Sequence, residues 1–578
     1  MVFTSPSWVP PMPIEIPDSV SLDEFMLTEK HGRVPFAQSK NPFICGLTGK
    51  TYTIDEIRQR VTHLARAIAK RLDFAPNEGT EWDKVVALFS LNTIDYIPFA
   101  HAVHRLAGIV TPASAAYSAQ ELEHQLRSSG AKALFTCVPL LETAVKAAKA
   151  VGIPEDRIFV LPVPGVSKKV PFTTLDDLIA EGAKLPDLEP LKWVKGQAAR
   201  QVAYLCYSSG TSGLPKAVMI SHANIMANAL QYSTFDTVAR TKFGVKTQAV
   251  LGLLPFSHIY GLVVICYSNA YRGDSTIVLP KFELDSFLGA VQEHKIEQLY
   301  LVPPIAIQII RNPDVCKKYD LTSVRYLITG AAPLGPETAE EVNRQYPKWR
   351  IGQAYGMTET CTVVCTTSEL DIDVGSSGSL VPGCRGKIVD PSTGAEITEY
   401  NKPGELLVQS PSVVLGYLNN EKATAETFVW QNDGRWIRTG DEVLVRKSAA
   451  GNEHLVVVDR IKELIKVKGH QVAPAELEAH LLTHPHVSDC AVIQVPDDRA
   501  GEVPKAYVVK AASAAGKSDE DLACDIAKHV EEHKARHKWL KGGIEFIEVI
   551  PKSPSGKILR RLLRDKEKAD RKAAGPKL

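Results

Sequence analysis

The sequence predicts an α/β protein: a large N-terminal domain of two doubly wound sheets and a small β-barrel-like unit, then a smaller α+β domain at the C-terminus. Three patterns carry that expectation. Strand-like apolar runs alternate with helical windows over residues 57–161, and strand runs punctuated by Gly or Pro resume over 203–329, as βαβ units and parallel sheets require. From about Gly375 short strands and turn residues take over, with few helical windows. Beyond Asp459-Arg460 helix and strand signals mix again, in a stretch long enough for an independent domain.

In the first unit, residues 84–90, 133–136 and 157–161 read as strands and 57–71 and 119–128 as helices. The second has strands at 203–206, 275–278, 298–302 and 326–329, and the β-rich unit has them at 404–409 and 455–458. The C-terminal part has helices at 474–482 and 520–537 and strands at 489–493 and 506–509. The expected domains are therefore 1–459 and 460–578.

Composition excludes several classes. With 44% hydrophobic and 23% charged residues in 578, the chain fits no disordered, collagen-like or coiled-coil type. A formal charge of +1 gives no global field toward nucleic acid or an anionic membrane. Residues 551–578 hold ten Lys or Arg against three acids, but no aromatic platform is interleaved, so the tail reads as solvated rather than nucleic-acid-binding. The ten cysteines include no CxxC pair and no metal-type Cys/His spacing, which implies reduced thiols inside a cell. No secretory signal opens the chain, and the most apolar stretch, 251–271, is broken by Pro255, Ser257, His258, Ser268 and Asn269, so no transmembrane helix is expected. The chain ends Pro576-Lys577-Leu578, similar to the Ser-Lys-Leu peroxisomal address; a peroxisomal import receptor is a candidate partner, and peroxisome and cytoplasm are both expected locations.

The most informative segment is Tyr207-Ser-Ser-Gly-Thr-Ser-Gly-Leu-Pro-Lys216, directly after a strand. Such a loop offers backbone N–H groups, hydroxyls and one fixed ammonium to anionic oxygens, so phosphate is its natural ligand. It lacks the adjacent Gly-Lys-Ser/Thr of the common P-loop.

With this loop stand Leu254-Pro-Phe-Ser-His-Ile-Tyr-Gly261, Thr329-Gly-Ala-Ala-Pro-Leu-Gly335, Gly352-Gln-Ala-Tyr-Gly-Met-Thr-Glu359, Gly404-Glu-Leu-Leu-Val408, Arg438-Thr-Gly-Asp441, Asp459-Arg-Ile-Lys-Glu-Leu-Ile-Lys-Val-Lys-Gly469 and Pro551-Lys-Ser-Pro-Ser-Gly-Lys557. In this order the motifs resemble the adenylate-forming enzymes, which include acyl-CoA synthetases, luciferases and peptide-synthetase adenylation domains. Gly469-His-Gln-Val-Ala-Pro-Ala-Glu-Leu-Glu478 and Ala119-Gln-Glu-Leu-Glu-His-Gln-Leu126 are most similar to 4-coumarate:CoA ligase. The resemblance implies an acid:CoA ligase: a carboxylate attacks ATP to give an acyl-adenylate and pyrophosphate, and coenzyme A then displaces AMP.

It also implies roles. Ser208, Ser209, Gly210, Thr211, Ser212 and Lys216 would hold the β- and γ-phosphates, Thr358 the α-phosphate, and Glu359 a Mg²⁺ ion. Gln353, Ala354 and Tyr355 match the adenine side; Asp441, supported by Arg460, matches the ribose side. Lys557 would stabilise charge during adenylation. The mobile C-terminal domain would turn about a hinge at Lys462 to bring Lys466, Lys468 and Gly469 into the second step, with Lys468, Gly469 and Lys281 near coenzyme A. Gln471 matches a position important in the ligases, without a defined role.

His258, Tyr260 and Ala331 fall at the acyl pocket, with Lys462 and Lys466 also expected on the substrate side. Ala331, and Thr360-Cys361-Thr362-Val363, stand where hydroxycinnamate ligases often carry Gly and Ala-Gly-Pro-Val, so a narrower and more polar pocket is expected. Aryl acids and medium-chain fatty acids both remain open as substrates. Two other readings are an adenylating enzyme with another acceptor, through luciferase-like oxidation or carrier loading, and an inactive nucleotide-binding scaffold. The stretch 441–460 is longer than in the ligases and implies an extended hairpin.

Overall fold

The structure, a computed structural model, describes residues 2–166, 168–208, 215–553 and 556–573. The first expected sheet has seven strands in the order Gly416–Tyr417, Lys216–Ser221, Val202–Ser208, Ile109–Ala113, Val85–Phe89, Ala133–Cys137 and Ile158–Leu161. Its last five strands are parallel; the first two join by antiparallel pairing, with Ser208 opposite Lys216. Helix Ile54–Leu72 starts where Thr53 and Glu56 cap each other, and helix Ala119–Ser129 starts with the same exchange between Ser118 and Glu121.

The second sheet has eight strands, Ser379–Leu380, Thr362–Thr366, Arg350–Met357, Tyr326–Thr329, Gln298–Leu301, Ala249–Gly252, Ser275–Val278 and Phe43–Cys45, the last six parallel. Helix His222–Lys242 is buried along nearly all its length, so its polar residues need partners. Asn228 holds both backbone groups of Val363, and Arg240 forms a buried ion pair with Asp274 at 2.6 Å. Within the apolar stretch 251–271 lies a fully buried nine-residue π-helix, Tyr260–Ser268, rather than a membrane span. Among the described residues no helix is long and apolar enough to cross a membrane.

The β-rich unit is an antiparallel sheet whose longest strand, Gly434–Lys447, folds back on Glu453–Arg460. This is the extended hairpin expected over 441–460, and its register sets Asp441 opposite Arg460. One short helix, Glu421–Thr427, interrupts the unit.

The C-terminal sheet runs His470–Val472, Ile465–Val467, Gly501–Lys510 and Val487–Asp497, with Ile544–Phe546 parallel to Gly501–Lys510. One face packs on helices Pro474–Leu481 and Asp519–His533, the other on helix Arg560–Ala573. The helix expected over 520–537 ends at His533: Lys534 is extended and its carbonyl accepts the Trp539 indole N–H at 2.9 Å, which turns the chain. Arg311 fastens this domain to the larger one by donating to the carbonyls of Ser488 at 2.7 Å and Val487 at 2.8 Å.

Candidate active site

The candidate residues gather where strands Tyr326–Thr329 and Arg350–Met357 end, beside the edge of the first sheet and the start of the C-terminal domain. Crevices beyond the carboxyl ends of parallel strands are the usual ligand positions in such sheets.

On the proposed adenine and ribose side, Gln353 accepts the Leu334 N–H at 2.9 Å, tying its strand to the 330–335 loop. The Tyr355 hydroxyl donates to Asp441 at 2.6 Å, and Arg460 lies 3.4 Å from the other Asp441 oxygen. Burial pushes the Asp441 carboxyl upward, while Arg460 and the Tyr355 hydroxyl pull it back toward the charged form. Asp441 is thus a fixed acceptor on the rigid hairpin.

On the phosphate side, Ser208 and Lys216 close the ends of the hairpin between Val202–Ser208 and Lys216–Ser221, confirming the strand-to-loop position of the motif. Ser209, Gly210, Thr211 and Ser212 lie outside the described residues. The Lys216 ammonium sits 4.7 Å above the Tyr417 ring, and the Tyr417 hydroxyl donates to the buried Glu359 carboxylate at 2.9 Å. Thr358 and Glu359 stand on the short turn Thr358–Thr360.

That turn is followed by Cys361 and Thr362 at φ 54° and 101°, left-handed values that cost a β-branched residue energy. Close packing holds them there: a Cβ on Gly356 would stand 1.5 Å from the Thr362 carbonyl oxygen, so only glycine fits opposite. The Thr362 hydroxyl donates to the Ile259 carbonyl at 3.0 Å and the Thr360 hydroxyl to that of Thr362 at 3.0 Å. The expected extra polarity of this segment is therefore spent on backbone carbonyls, binding the Glu359 turn to the His258 segment.

Tyr260 is buried with its ring edge against Gly330, and the Tyr260 N–H donates to His258 Nδ1 at 3.3 Å, which leaves the second ring nitrogen to carry hydrogen. Burial, and then the Lys557 charge, lower His258 to about 4, so its ring is neutral at physiological pH. Ala331 has φ 66°, a position better suited to glycine, and its side chain is exposed.

Lys557 reaches this place from the C-terminal domain. Its loop is held by Ser553 N–H to Lys557 carbonyl at 2.8 Å, and Gly556 packs against Val302 and Pro304. Burial and the nearby Arg460 lower the ammonium to about 8, opposed by Asp441, Glu359 and Glu463. Lys462, Lys466, Lys468, Gly469, Gln471 and Lys281 are not brought to the crevice; all are exposed. Lys281 pairs with Glu283 at 2.5 Å. Lys468 and Gly469, at φ 49° and 84°, form the two-residue turn joining Ile465–Val467 to His470–Val472.

Residues 36–418 match the AMP-binding enzyme family, and residues 476–557 match the AMP-binding enzyme C-terminal domain. The chain belongs to the AMP-binding enzyme family. Within it, the chain is 42% identical over 577 residues to acyl-CoA ligase AFT1-1 of Alternaria alternata, covering 99% of this chain and 98% of the relative. It is 40% identical over 570 residues to acyl-CoA ligase easD of Emericella nidulans, covering 98% and 100%. Its fold is similar to that of the anthranilate CoA ligase AuaEII in complex with anthranoyl-AMP, with TM-score 0.78, 23% identity and coverage of 95% and 98%. ATP-bound MatB from Rhodopseudomonas palustris gives TM-score 0.77 at 22% identity, with coverage of 95% and 99%. Those solved structures share the large sheet-built domain and the smaller C-terminal one.

Tyr417, which donates to Glu359, and Glu463, whose charge opposes the lowering of Lys557, stand beside the candidate residues without having been singled out in the sequence. Tyr417 lies 58 residues from Glu359, and no local spacing links the two.

Proposed function

We propose that the chain is an AMP-forming acid:CoA ligase that activates a carboxylic acid with ATP and passes the acyl group to coenzyme A. The observation that carries this reading is Lys557, delivered by the C-terminal domain into the same crevice as Glu359, Asp441 and His258. An ammonium there neutralises charge shared between the attacking carboxylate and the α-phosphate, a role that needs position rather than a protein nucleophile. Asp441 accepts from the ribose hydroxyls, Tyr355 and Ala354 flank the adenine, and Lys216 with the 208–212 loop draws the departing pyrophosphate. Thr358 contacts the α-phosphate.

Glu359 suits Mg²⁺: it is a buried hard oxygen donor with one oxygen held by Tyr417, and phosphates would complete the shell. Such an ion supplies charge neutralisation to the phosphates. In the second half-reaction the C-terminal domain turns about Lys462, bringing Lys466, Lys468 and Gly469 to coenzyme A beside Lys281.

The names of the two relatives above, both acyl-CoA ligases, support the same chemistry. The acid is an aryl acid, hydroxycinnamate-like, or a medium-chain fatty acid, accepted beside His258, Tyr260 and Ala331. The test is acid-dependent ATP–pyrophosphate exchange across benzoates, cinnamates, phenylacetates and C6–C16 fatty acids, followed by thioester formation with coenzyme A. Exchange and thioester with one acid class are expected; exchange without thioester would assign another acceptor, and silence with every acid would overturn the reading. We also propose that the C-terminal Pro-Lys-Leu, outside the described residues, addresses the chain to peroxisomes. Deleting residues 576–578 should leave a fluorescent fusion in the cytoplasm, and an unchanged distribution refutes the address.

A further inference from the structure

Helices Pro474–Leu481 and Asp519–His533 lie side by side on one face of the C-terminal sheet and bring a histidine of the first against a short-spaced histidine pair of the second. His480 is on the first helix; His529 and His533 are one turn apart on the second. One ring nitrogen from each lies within 4.8 Å of the other two. The His480 and His529 rings stack at 4.3 Å, and the His533 ring is 5.2 Å from both.

The hydrogen bonds around the three rings resemble those of imidazoles oriented for a metal. His480 Nε2 at 3.2 Å and His533 Nδ1 at 2.9 Å both meet the His529 carbonyl oxygen, which only accepts, so both nitrogens carry hydrogen. The Thr483 hydroxyl gives its one proton to the His480 carbonyl at 2.7 Å and therefore accepts from His529 Nε2 at 3.0 Å. Each ring thus keeps one lone-pair nitrogen while its N–H is held by a protein oxygen, as ligating histidines usually are. Burial lowers His480 and His529 below the ordinary imidazole value. His484 extends the cluster, with its ring 5.1 Å from His529 and its Nε2 3.6 Å from Asp525.

We propose that His480, His529 and His533 form a binding site for a divalent transition ion of the zinc type, which clips the two helices together. Imidazole nitrogens are the ligands that zinc, nickel and copper ions prefer, and tetrahedral zinc at ~2.0–2.1 Å from each nitrogen needs them ~3.4 Å apart, so the His480 and His529 rings, 4° from parallel, would turn out of their stack to converge on it. The clip stiffens the segment between the Lys468 turn and strand Val487–Asp497, where Arg311 docks the domain. It is independent of the adenylation chemistry.

The test uses the untagged full-length chain, stripped with chelator and titrated with zinc sulfate by calorimetry. One Zn²⁺ per chain is expected, with thermal unfolding shifted upward by saturating zinc. His533→Ala, at an exposed position that leaves the core intact, and His529→Ala should each weaken binding by ~10-fold or more and abolish the shift, with pyrophosphate exchange unchanged. No binding at zinc concentrations of ~100 μM, or binding unaltered in both variants, would overturn the site.

Discussion

The role proposed for Lys557 would make adenylation titratable in an accessible range. Burial and Arg460 bring its ammonium from 10.5 to about 8 in the unliganded protein. Below that value the side chain carries the charge that adenylation uses; above it the charge is lost by about tenfold per pH unit. Pyrophosphate exchange measured at low ATP should therefore be level below pH ~7, half-maximal near 8 and about tenfold down at pH ~9. The bound polyphosphate favours the ammonium, so saturating ATP should move the inflection to higher pH. His258, at about 4, does not titrate in this window, and the exchange assay contains no coenzyme A thiol to confuse the profile. Lys557→Ala should lower exchange at pH 7 by about 10²–10³-fold, the usual loss when one preorganised charge donor is removed, and should erase the inflection. Conversion of supplied acyl-adenylate to thioester should keep its rate. A flat profile to pH 10, an inflection that survives in Lys557→Ala, or equal loss of both half-reactions would refute the assignment.

Three further perturbations probe the remaining parts of the site. Tyr417→Phe strips the hydroxyl from the buried Glu359 carboxylate and should raise the Mg²⁺ concentration for half-maximal exchange by about 10-fold; an unchanged Mg²⁺ curve would leave Tyr417 a packing residue only. Lys468→Gly removes the ammonium and places at φ 49° the residue most at ease there, relieving the left-handed strain that lysine bears and that alanine would keep. It should raise KM for coenzyme A by about 10-fold through the lost ionic contact and leave exchange alone; an unaltered KM removes Lys468 from the second step. Ala331→Gly relieves the same kind of strain at φ 66° but adds chain entropy, so stability should stay within ~1 kcal/mol while bulkier acids gain in the exchange panel; an identical acid profile would separate Ala331 from the pocket.

Strands were readable at Ser275–Val278, Tyr326–Thr329 and Gly404–Gln409, where apolar runs are bounded by turns, but Ile109–Ala113 and Ala249–Gly252 were not read. The π-helix Tyr260–Ser268 was not, because a helix buried on every side carries no amphipathic period. Helix Asp519–His533 was read too long, since Lys534 to His537 have helical composition; the chain turns there with a local bond from the Trp539 indole and with Lys534 and Lys538 paired to Glu476 of the neighbouring helix. The site was readable where its residues lie within one motif. It was unreadable where the partner comes from another strand, as with Tyr417 beneath Lys216 and Glu359, because side chains paired in space leave no trace in spacing.

The C-terminal sheet explains why one crevice would have to serve two steps in turn. Alternate residues of strand Val487–Asp497 face opposite sides: Cys490 and Val492 pack under Leu477 and Ile526, while Ala491 and Ile493 pack under Leu563. Lys557 directly precedes the helix on the second side. Lys466 and Lys468 lie on the strand and turn at the sheet's other end, where their backbone N–H groups bond to Glu502 and Ala500 of the same domain. Both sets of lysines therefore ride on the same domain, Lys466 and Lys468 on its sheet and Lys557 on the loop before the helix packed against that sheet. With Lys557 beside Asp441 and Glu359, the Lys468 turn is left in solvent. Under the proposed roles, presenting that turn to the crevice would require the whole sheet to rotate and withdraw Lys557, so the ammonium assigned to adenylation would leave as the lysines assigned to coenzyme A arrive.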